Sequence, residues 1–297
     1  MTARGVRALV GPTAAGKSAV ALQAATRLDV EIVAVDAFTV YRGMDVGTAK
    51  PSTRDRARVP HHMIDVLDPS QECTVEWFQG AARAAITDVA ERGRTPLLVG
   101  GSGLYFRAVV DPLAFPPTDP DVRAGIAARY AADPRVAHVH LAAVDPAAAN
   151  RIDPDNLRRT VRALEVHQLT GRPFSAWRQA WDDHTSVYPD LRVVGLDVDR
   201  DDLTARIASR VETMLAGDGL VEECRRLATQ PLSATARQAI GYAEVLDHLA
   251  GHHTLEEAAA RIRTRTRRYA VRQIRWFKGD PRVRWADPAE AGEVLIG

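Results

Sequence analysis

A loop of eight residues near the start of the chain has the residue types and spacing needed to hold a phosphate chain. Residues 11–18 read GPTAAGKS, the pattern G-x-x-x-x-G-K-[ST], between a predicted strand and a predicted helix. Its glycines let the backbone wrap, so that N–H groups and the helix N-terminus face an anion. The lysine adds a point charge for terminal phosphates, and the serine hydroxyl is a ligand for Mg²⁺. This phosphate loop predicts a diphosphate or triphosphate site, formed by Gly11, Pro12, Thr13, Ala14, Ala15, Gly16, Lys17 and Ser18.

A carboxylate is the second candidate catalytic group. Asp36 directly follows the β-branched run 31–35, and the carboxyl ends of parallel strands line a ligand crevice. We therefore expect Asp36 beside the phosphate loop, either as a general base or only as a cap of the turn that follows. The strand 96–99 ends in a Gly-Gly-Ser segment, where an ATPase typically carries a carboxylate for Mg²⁺. These glycines either admit a ligand close to the backbone or form a plain turn, and Ser102 adds a hydroxyl group.

Two arginine-rich segments are candidate surfaces for a polyanion. In the first, arginines step by four, three, four and three residues along a predicted helix, with aromatic residues between them, which is typical of a surface for the RNA backbone. The same helix also needs a core face. In the second segment, two arginines four positions apart share a face and predict either phosphate contacts or a solvated face. The segments comprise Arg261, Arg265, Arg268, Arg272 and Arg275, with Tyr269, Trp276 and Phe277, and then Arg158, Arg159 and Arg162.

The elements that must position these groups alternate between strands and helices. Strands are predicted at 7–10, 31–35, 63–66, 96–99 and 192–198, and helices at 19–28, 73–92, 203–216, 242–249 and 255–277. This alternation predicts an α/β fold with a P-loop NTPase-like parallel sheet flanked by helices. Residues 112–188 lack strong strand signals and carry helical patterns at 122–131, 147–152 and 157–169. We therefore expect a core domain of residues 1–111 and 189–297, interrupted by a helical insertion domain of residues 112–188.

Composition limits the class of protein further. The 297 residues are 46 % apolar and 26 % charged, and 39 basic against 38 acidic residues give a net charge of +1. Binding to nucleic acid must then come from local patches. Two cysteines form neither a disulfide framework nor a four-ligand zinc site, which predicts a reducing cytoplasm. Neither a membrane span nor a secretory signal is expected, and His61 and His62 have no third ligand at metal spacing.

Eight segments carry a more specific signal than the phosphate loop alone. They are GPTAAGKS (11–18), AVDAFTVYRGMDVGTAKP (34–51), PHHMIDVLDP (60–69), LLVGGSGLYFRAV (97–109), RRTVRALEV (158–166), RIASRVETMLAGDGLVEE (206–223), RQAIGY (237–242) and TRRYAVRQIRWF (266–277). Together, and in this order, they resemble the tRNA dimethylallyltransferases, also called tRNA isopentenyltransferases. The cysteine-based zinc finger of eukaryotic members is absent, so the resemblance is to the bacterial type.

The resemblance implies a reaction and a set of residues. N6 of the adenosine on the 3′ side of the anticodon, in tRNAs reading codons that start with U, attacks C1 of dimethylallyl diphosphate, and diphosphate leaves. The resemblance implies that Asp36 accepts the N6 proton and that the Ser102 hydroxyl group forms a hydrogen bond near the bridging oxygen of the substrate. It also implies that Arg210 takes part in the use of the diphosphate and that Mg²⁺ is the cofactor. We expect a monomer. The implied tRNA contacts are Asp36, Ala37, Phe38, Thr39, Ser102, Arg123, Arg158, Arg159, Arg162, Gln238, Gly241, Tyr242, Arg268, Arg272, Gln273, Arg275, Trp276 and Lys278. Ala37 and Thr39 stand where serine and glutamine are common in the family.

Three other functions remain open at this point. A P-loop kinase for a small molecule would use the insertion as a lid, but it leaves the C-terminal arginine helix unexplained. An isopentenyltransferase acting on free adenine nucleotides would not need the long segments that resemble tRNA-facing ones. A non-catalytic RNA-binding protein would not need an intact phosphate loop together with Asp36. Consumption of ATP or release of diphosphate separates the first from the main prediction.

Overall fold

Six parallel strands form the sheet that carries the candidate site. In the computed structural model, which describes residues 5–181 and 183–297 (apart from the side chains at 178–181 and 218), every paired strand is parallel and the order is β3-β2-β4-β1-β5-β6. The first four residues of the expected core domain, which belong to the segment predicted to lack a secretory signal, lie outside the described residues. The strands are β1 Arg7–Val10, β2 Val30–Val35, β3 His61–His62, β4 Thr95–Gly100, β5 Arg192–Leu196 and β6 Val283–Ala286.

Fourteen α-helices are found among the described residues, together with short 3₁₀ segments at Phe174–Trp181 and Ala216–Asp218. The helices are α1 Lys17–Ala24, α2 Thr53–Arg58, α3 Val75–Glu91, α4 Gly103–Val110, α5 Pro120–Arg129, α6 Pro134–Val144, α7 Pro146–Ala149, α8 Leu157–Thr170, α9 Arg200–Leu215, α10 Gly219–Leu227, α11 Ala234–Arg237, α12 Tyr242–Leu249, α13 Leu255–Lys278 and α14 Ala291–Ile296.

The chain divides into two compact units, each described here by itself. The core unit comprises Met1–Val110 and Ser186–Gly297, and the helical unit comprises Asp111–Thr185. All six strands belong to the core unit, whereas the described part of the helical unit contains helices and no strand. The helical unit has its own apolar core, which includes Ile126, Leu141 and Leu164.

Alternating side chains along the strands cover both faces of the sheet. On one face Ala8, Val10 and Leu98 pack with α3, α4 and the C-terminal helices. On the other face Leu9 and Leu97 pack with α1 and α14. Because helices cover both faces, the sheet is buried and only its strand ends are available to hold polar groups. The fold is therefore the predicted P-loop NTPase-like one.

Several predicted elements differ from the observed ones. The strand predicted at 63–66 is wrong, because Met63 and Asp65 adopt positive φ values of 61° and 56° that end β3 at His62. Helix α1 ends at Ala24 rather than at residue 28. Helices α6, α10 and α14 and strand β6 are present although the sequence analysis did not predict them.

Candidate functional site

The phosphate loop joins β1 to α1 through three residues with positive φ. Gly11 and Gly16 have φ values of 139° and 94°, which glycine adopts without strain, and Ala14 lies in the left-handed region at 64°. A side chain at Gly11 would also press against the backbone of Leu196 in β5, at 3.3 Å. The loop thus has the wrapped conformation that its glycines predict.

Lys17 begins α1 and turns back over the loop. Its Nζ donates hydrogen bonds to the carbonyl oxygens of Gly11 at 3.0 Å and Pro12 at 2.7 Å. Burial, and secondarily the positive charge of Arg210, lower the pKa of Lys17 to about 8, while Asp36 opposes the shift. Lys17, Arg210 and Asp36 are therefore close enough for their charges to interact strongly.

Two distant helices hold Thr13, which lies at the tip of the phosphate loop. Arg210 of α9 donates a hydrogen bond from Nη1 to the Thr13 hydroxyl oxygen at 3.2 Å. From α13, the Gln273 amide oxygen Oε1 accepts a hydrogen bond from the Thr13 backbone N–H at 2.9 Å. The conformation of the loop is thus fixed by side chains from the C-terminal half of the chain.

Asp36 follows the last residue of β2 and caps the turn after it. Its Oδ1 atom accepts hydrogen bonds from the N–H groups of Phe38 at 2.8 Å and Thr39 at 3.3 Å. Its Oδ2 atom has no hydrogen-bond partner among the described residues. The cap and the general base, treated as alternatives from the sequence, are compatible here because each uses a different oxygen atom.

The glycines after β4 are required by packing. A Cβ atom at Gly100 would lie 2.1 Å from the Val35 carbonyl oxygen, and one at Gly101 would lie 2.2 Å from Nε2 of Gln273. One at Gly103 would meet the Trp276 indole at 2.0 Å. At this segment β2 and α13 lie close to the backbone, where the sequence analysis expected either a ligand or a plain turn. Ser102 lies between these glycines, and its hydroxyl group interacts with the phenol of Tyr269.

One cavity of about 960 Å³ in the core unit is lined by the phosphate loop, Asp36, Arg210 and Gln273. Its described lining includes six cationic side chains, namely Lys17, Arg206, Arg210, Arg265, Arg268 and Arg272, and one carboxylate, Asp36. An apolar wall beside Arg210 is formed by Ile207, Val211 and Met214 of α9 and Ile262 of α13. This lining suits a polyanion that carries an apolar group.

Most predicted RNA contacts of the core unit surround this cavity. Arg275, Trp276 and Lys278 are exposed on α13 but are not among the lining residues. The predicted residues that line the cavity are Thr13, Ala14, Gly16, Lys17, Ser18, Asp36, Phe38, Thr39, Arg210, Gln238, Gly241, Arg268, Arg272 and Gln273.

Three residues predicted to contact tRNA are buried instead. Ala37 packs in the main core. The Tyr242 side chain is only 1 % exposed, and its hydroxyl donates to Glu223 and accepts from the Gly47 N–H at 3.1 Å. Gln273 is 5 % exposed and holds the phosphate loop. These three residues have internal partners, and only Gln273 among them also lines the cavity.

In the helical unit, the predicted arginines differ in environment. Arg158 and Arg159 are exposed on α8. Arg123 and Arg162, in contrast, form ion pairs with the buried carboxylate of Glu165 at 3.0 and 2.8 Å. Arg123 and Arg162 therefore stabilise the helical unit. Of the four predicted arginines, only Arg158 and Arg159 have exposed guanidinium groups without an ion pair to a described residue.

The sequence analysis missed several residues of the cavity. Arg206 lies one helical turn before Arg210, a spacing that could have identified it. Tyr269 was predicted as an aromatic residue of the RNA surface or of the core face of its helix; it lines the cavity under the Arg272 guanidinium, which lies 5.7 Å from the ring centroid. Burial and the negative charge of Asp36 raise the pKa of Tyr269. Arg265 forms an ion pair with buried Glu244.

The histidine pair has protein partners. His62 contacts Glu31 at 2.6 Å, and His61 Nδ1 lies 2.7 Å from the Val59 carbonyl oxygen. Over residues 5–181 and 183–297 there is no cluster of three or more histidine, cysteine or acidic residues suited to a metal ion. None of the described helices is long and apolar enough to cross a membrane.

The parallel sheet, with a glycine-rich phosphate loop after β1 and a carboxylate after β2, on the other side of β4, defines a P-loop NTPase-like protein. Two family models match the chain: IPP transferase over residues 39–280 and isopentenyl transferase over residues 4–60. The chain belongs to the tRNA dimethylallyltransferase family and is a prenyltransferase by that membership.

Two relatives and two solved structures are similar to this chain over 73 % or more of their own length. The tRNA dimethylallyltransferase of Salinispora arenicola is 50 % identical over 97 % of this chain and 84 % of its own. That of Kineococcus radiotolerans is 50 % identical over 97 % and 92 %. A solved tRNA isopentenylpyrophosphate transferase from Bacillus halodurans is 39 % identical, with a TM-score of 0.70 and 98 % and 94 % coverage. A eukaryotic dimethylallyltransferase acting on tRNA is 27 % identical, with a TM-score of 0.79 and 95 % and 73 % coverage.

Proposed function

We propose that this protein transfers a dimethylallyl group from dimethylallyl diphosphate to N6 of the adenosine on the 3′ side of the anticodon, in tRNAs that read codons starting with U. The products are N6-isopentenyladenosine and diphosphate. The observation that carries the proposal is that one cavity contains both the phosphate loop and the Asp36 carboxylate. Family membership supports the same reaction.

The diphosphate group binds at the phosphate loop. Backbone N–H groups at the N-terminus of α1, together with Lys17 and Arg210, provide positive charge where the leaving group gains negative charge. The apolar wall of α9 and Ile262 accommodates the alkyl chain. Burial and, secondarily, the charge of Arg210 lower the pKa of Lys17, and a bound anion opposes both effects by stabilising the protonated ammonium group.

Magnesium fits this site through the substrate. Mg²⁺ is usually held by substrate phosphates, waters and one or two protein oxygens. Ser18 lines the cavity in the first turn of α1 and supplies a hydroxyl oxygen for it. A bound Mg²⁺ would neutralise charge on the diphosphate oxygens. The absence of a three-residue ligand cluster among the described residues agrees with a cation held mainly by substrate.

Asp36 accepts the proton of the attacking amino group. The N6 lone pair forms a bond to C1, the C1–O bond breaks, and its electron pair leaves with diphosphate. The N6 proton passes to Asp36 Oδ2, while Oδ1 keeps the turn in place. Ser102 donates a hydrogen bond near the bridging oxygen. Arginines of α13 hold RNA phosphates at the rim, with the target base extruded from its stack.

The test is incubation with dimethylallyl diphosphate, Mg²⁺ and unmodified tRNA, followed by mass analysis of the nucleosides. We expect isopentenyladenosine in the anticodon loop and one diphosphate released per modified base. Parallel reactions with AMP and with ATP plus tRNA test the alternatives. Modified AMP without modified tRNA, or ADP without diphosphate, would overturn the proposal.

We also propose a monomer that works in the cytoplasm. Light scattering at the assay concentration tests the oligomeric state, and a dimer as active species would contradict it.

A further inference from the structure

Helix α13 has two faces with different partners in the core unit. Its outer face exposes arginines at 261, 265, 268, 272 and 275. Its inner face buries Ile262, Ala270, Gln273 and Phe277. The amide of Gln273 lies in the core face of this 24-residue, arginine-rich helix. Burial of an amide costs free energy unless its atoms are hydrogen-bonded. The position of Gln273 therefore calls for a physical explanation.

The Gln273 amide lies between the loops that follow β1 and β4. Its oxygen accepts from the Thr13 backbone N–H at 2.9 Å. Its Nε2 atom packs so closely on Gly101 that a Cβ atom there would lie 2.2 Å away. The same Cβ atom would lie 2.8 Å from the Gly11 carbonyl oxygen, so both loops and the amide meet at one point.

Neighbouring turns of α13 extend this contact. One turn earlier, Tyr269 lines the cavity, and its hydroxyl group interacts with the side chains of Ser102 and Gln273. One turn later, the Trp276 indole covers Gly103. Arg272, beside Gln273 in sequence, lies over the Tyr269 ring. A displacement of α13 must therefore move the phosphate loop and the β4 loop with it.

We infer that Gln273 is a positioning residue that couples RNA binding on α13 to diphosphate binding in the phosphate loop. RNA held by the outer arginines fixes α13, and the amide of Gln273 passes this restraint to Thr13. Bound diphosphate fixes the loop and restrains α13 in return, because coupling between two binding sites is reciprocal. This inference rests on the proposed function, since it takes both ligands to be substrates or products of one reaction.

The test measures the dissociation constant of an anticodon stem-loop with and without saturating inorganic pyrophosphate and Mg²⁺. In the wild type we expect pyrophosphate to strengthen RNA binding about fivefold or more, the usual range of such coupling. Gln273→Met keeps the side-chain length but removes the amide, and the ratio should fall to about one to two. RNA affinity without pyrophosphate should change by less than about twofold, because no outer arginine is altered.

Two variants control this measurement. Gln79→Met removes a glutamine hydrogen bond to a backbone carbonyl, 2.8 Å long, outside the described cavity lining, and it should leave the ratio unchanged. Gln273→Glu keeps an accepting oxygen for Thr13, so it should weaken pyrophosphate binding through its charge yet retain most of the ratio. Should Gln273→Met fold poorly, Tyr269→Phe, which removes only the hydroxyl group beside Gln273, should lower the ratio in the same direction.

The outcomes separate the two proposals. A ratio of one in the wild type, or equal ratios in Gln273→Met and Gln79→Met, would overturn the coupling role. Failure of the wild type to form isopentenyladenosine would overturn the proposed function instead. Loss of coupling in Gln273→Met with wild-type coupling in Gln79→Met and Gln273→Glu would support Gln273 as the positioning residue.

Discussion

Arg210 donates a hydrogen bond to the hydroxyl group of Thr13 although 197 positions separate the two residues. Through this bond, α9 supplies a second cation to a loop whose own cation is Lys17. Most of the apolar wall of the cavity, namely Ile207, Val211 and Met214, comes from the same helix. One helix therefore presents charge for the diphosphate and surface for the alkyl chain.

Arg210→Gln is expected to reduce kcat/KM for dimethylallyl diphosphate by about 10²-fold, since a charge-assisted contact to the leaving group is lost. Affinity for tRNA should change by less than about twofold, because Arg210 is not on the exposed stripe of α13. Steady-state kinetics with each substrate varied in turn measure both effects. An equal loss for both substrates would instead indicate general damage to the fold.

Asp36→Asn should lower single-turnover rates by about 10²–10⁴, the usual contribution of a positioned general base. Asparagine keeps an Oδ1 atom that accepts from Phe38 and Thr39, so the turn and the thermal midpoint should be retained. The assay uses saturating tRNA and dimethylallyl diphosphate. A rate within about threefold of wild type would leave Asp36 as a turn cap only.

Affinity for pyrophosphate should fall as the pH rises above about 8. The pKa of Lys17 is lowered to about 8 in the absence of a bound anion, and the protonated form binds the anion. Below this pKa the ammonium group is present and its contribution is constant, whereas above it each pH unit should weaken binding up to about tenfold. Calorimetric titration between pH 7 and 9.5 measures the trend. Lys17→Arg stays charged throughout, so a similar decline in that variant would exclude Lys17 as its cause.

Neutralising Arg268 and Arg272 together should flatten the salt dependence of tRNA binding. Each lost phosphate contact reduces the slope of log affinity against log salt by about 0.7–0.9, so the double variant should lose more than about one. The matched control changes Arg94 and Arg192, which lie beside the amino ends of β4 and β5, at the opposite end of the sheet. Equal slopes in the double variant and the wild type would show that α13 presents only a solvated face.

The strand ends were predictable from the sequence because their chemistry depends on local patterns. A β-branched run followed by Asp36, and a strand followed by GPTAAGKS, fix both groups at the carboxyl ends of parallel strands. Gln273 and Tyr269 were not placed in this way, because a polar or aromatic residue inside an arginine-rich helix has the same local signature on either face. The burial of Tyr242 was not predictable for a related reason, because its partner Glu223 is far away in the sequence. Strand β6 was not predicted, because it has only four residues and one of them is an exposed arginine.

The register of the sheet has a further consequence for the reaction. Val10 and Val35 are both paired with Gly100, so the phosphate loop and Asp36 start from the same level on either side of β4. Adjacent strands lie about 4.8 Å apart, which separates the two starting points by about 9.6 Å. The separation between the start of the phosphate loop and Asp36 is therefore set by the backbone hydrogen bonds of the sheet. Substitutions of side chains in the cavity lining can then change its shape and charge without changing this separation.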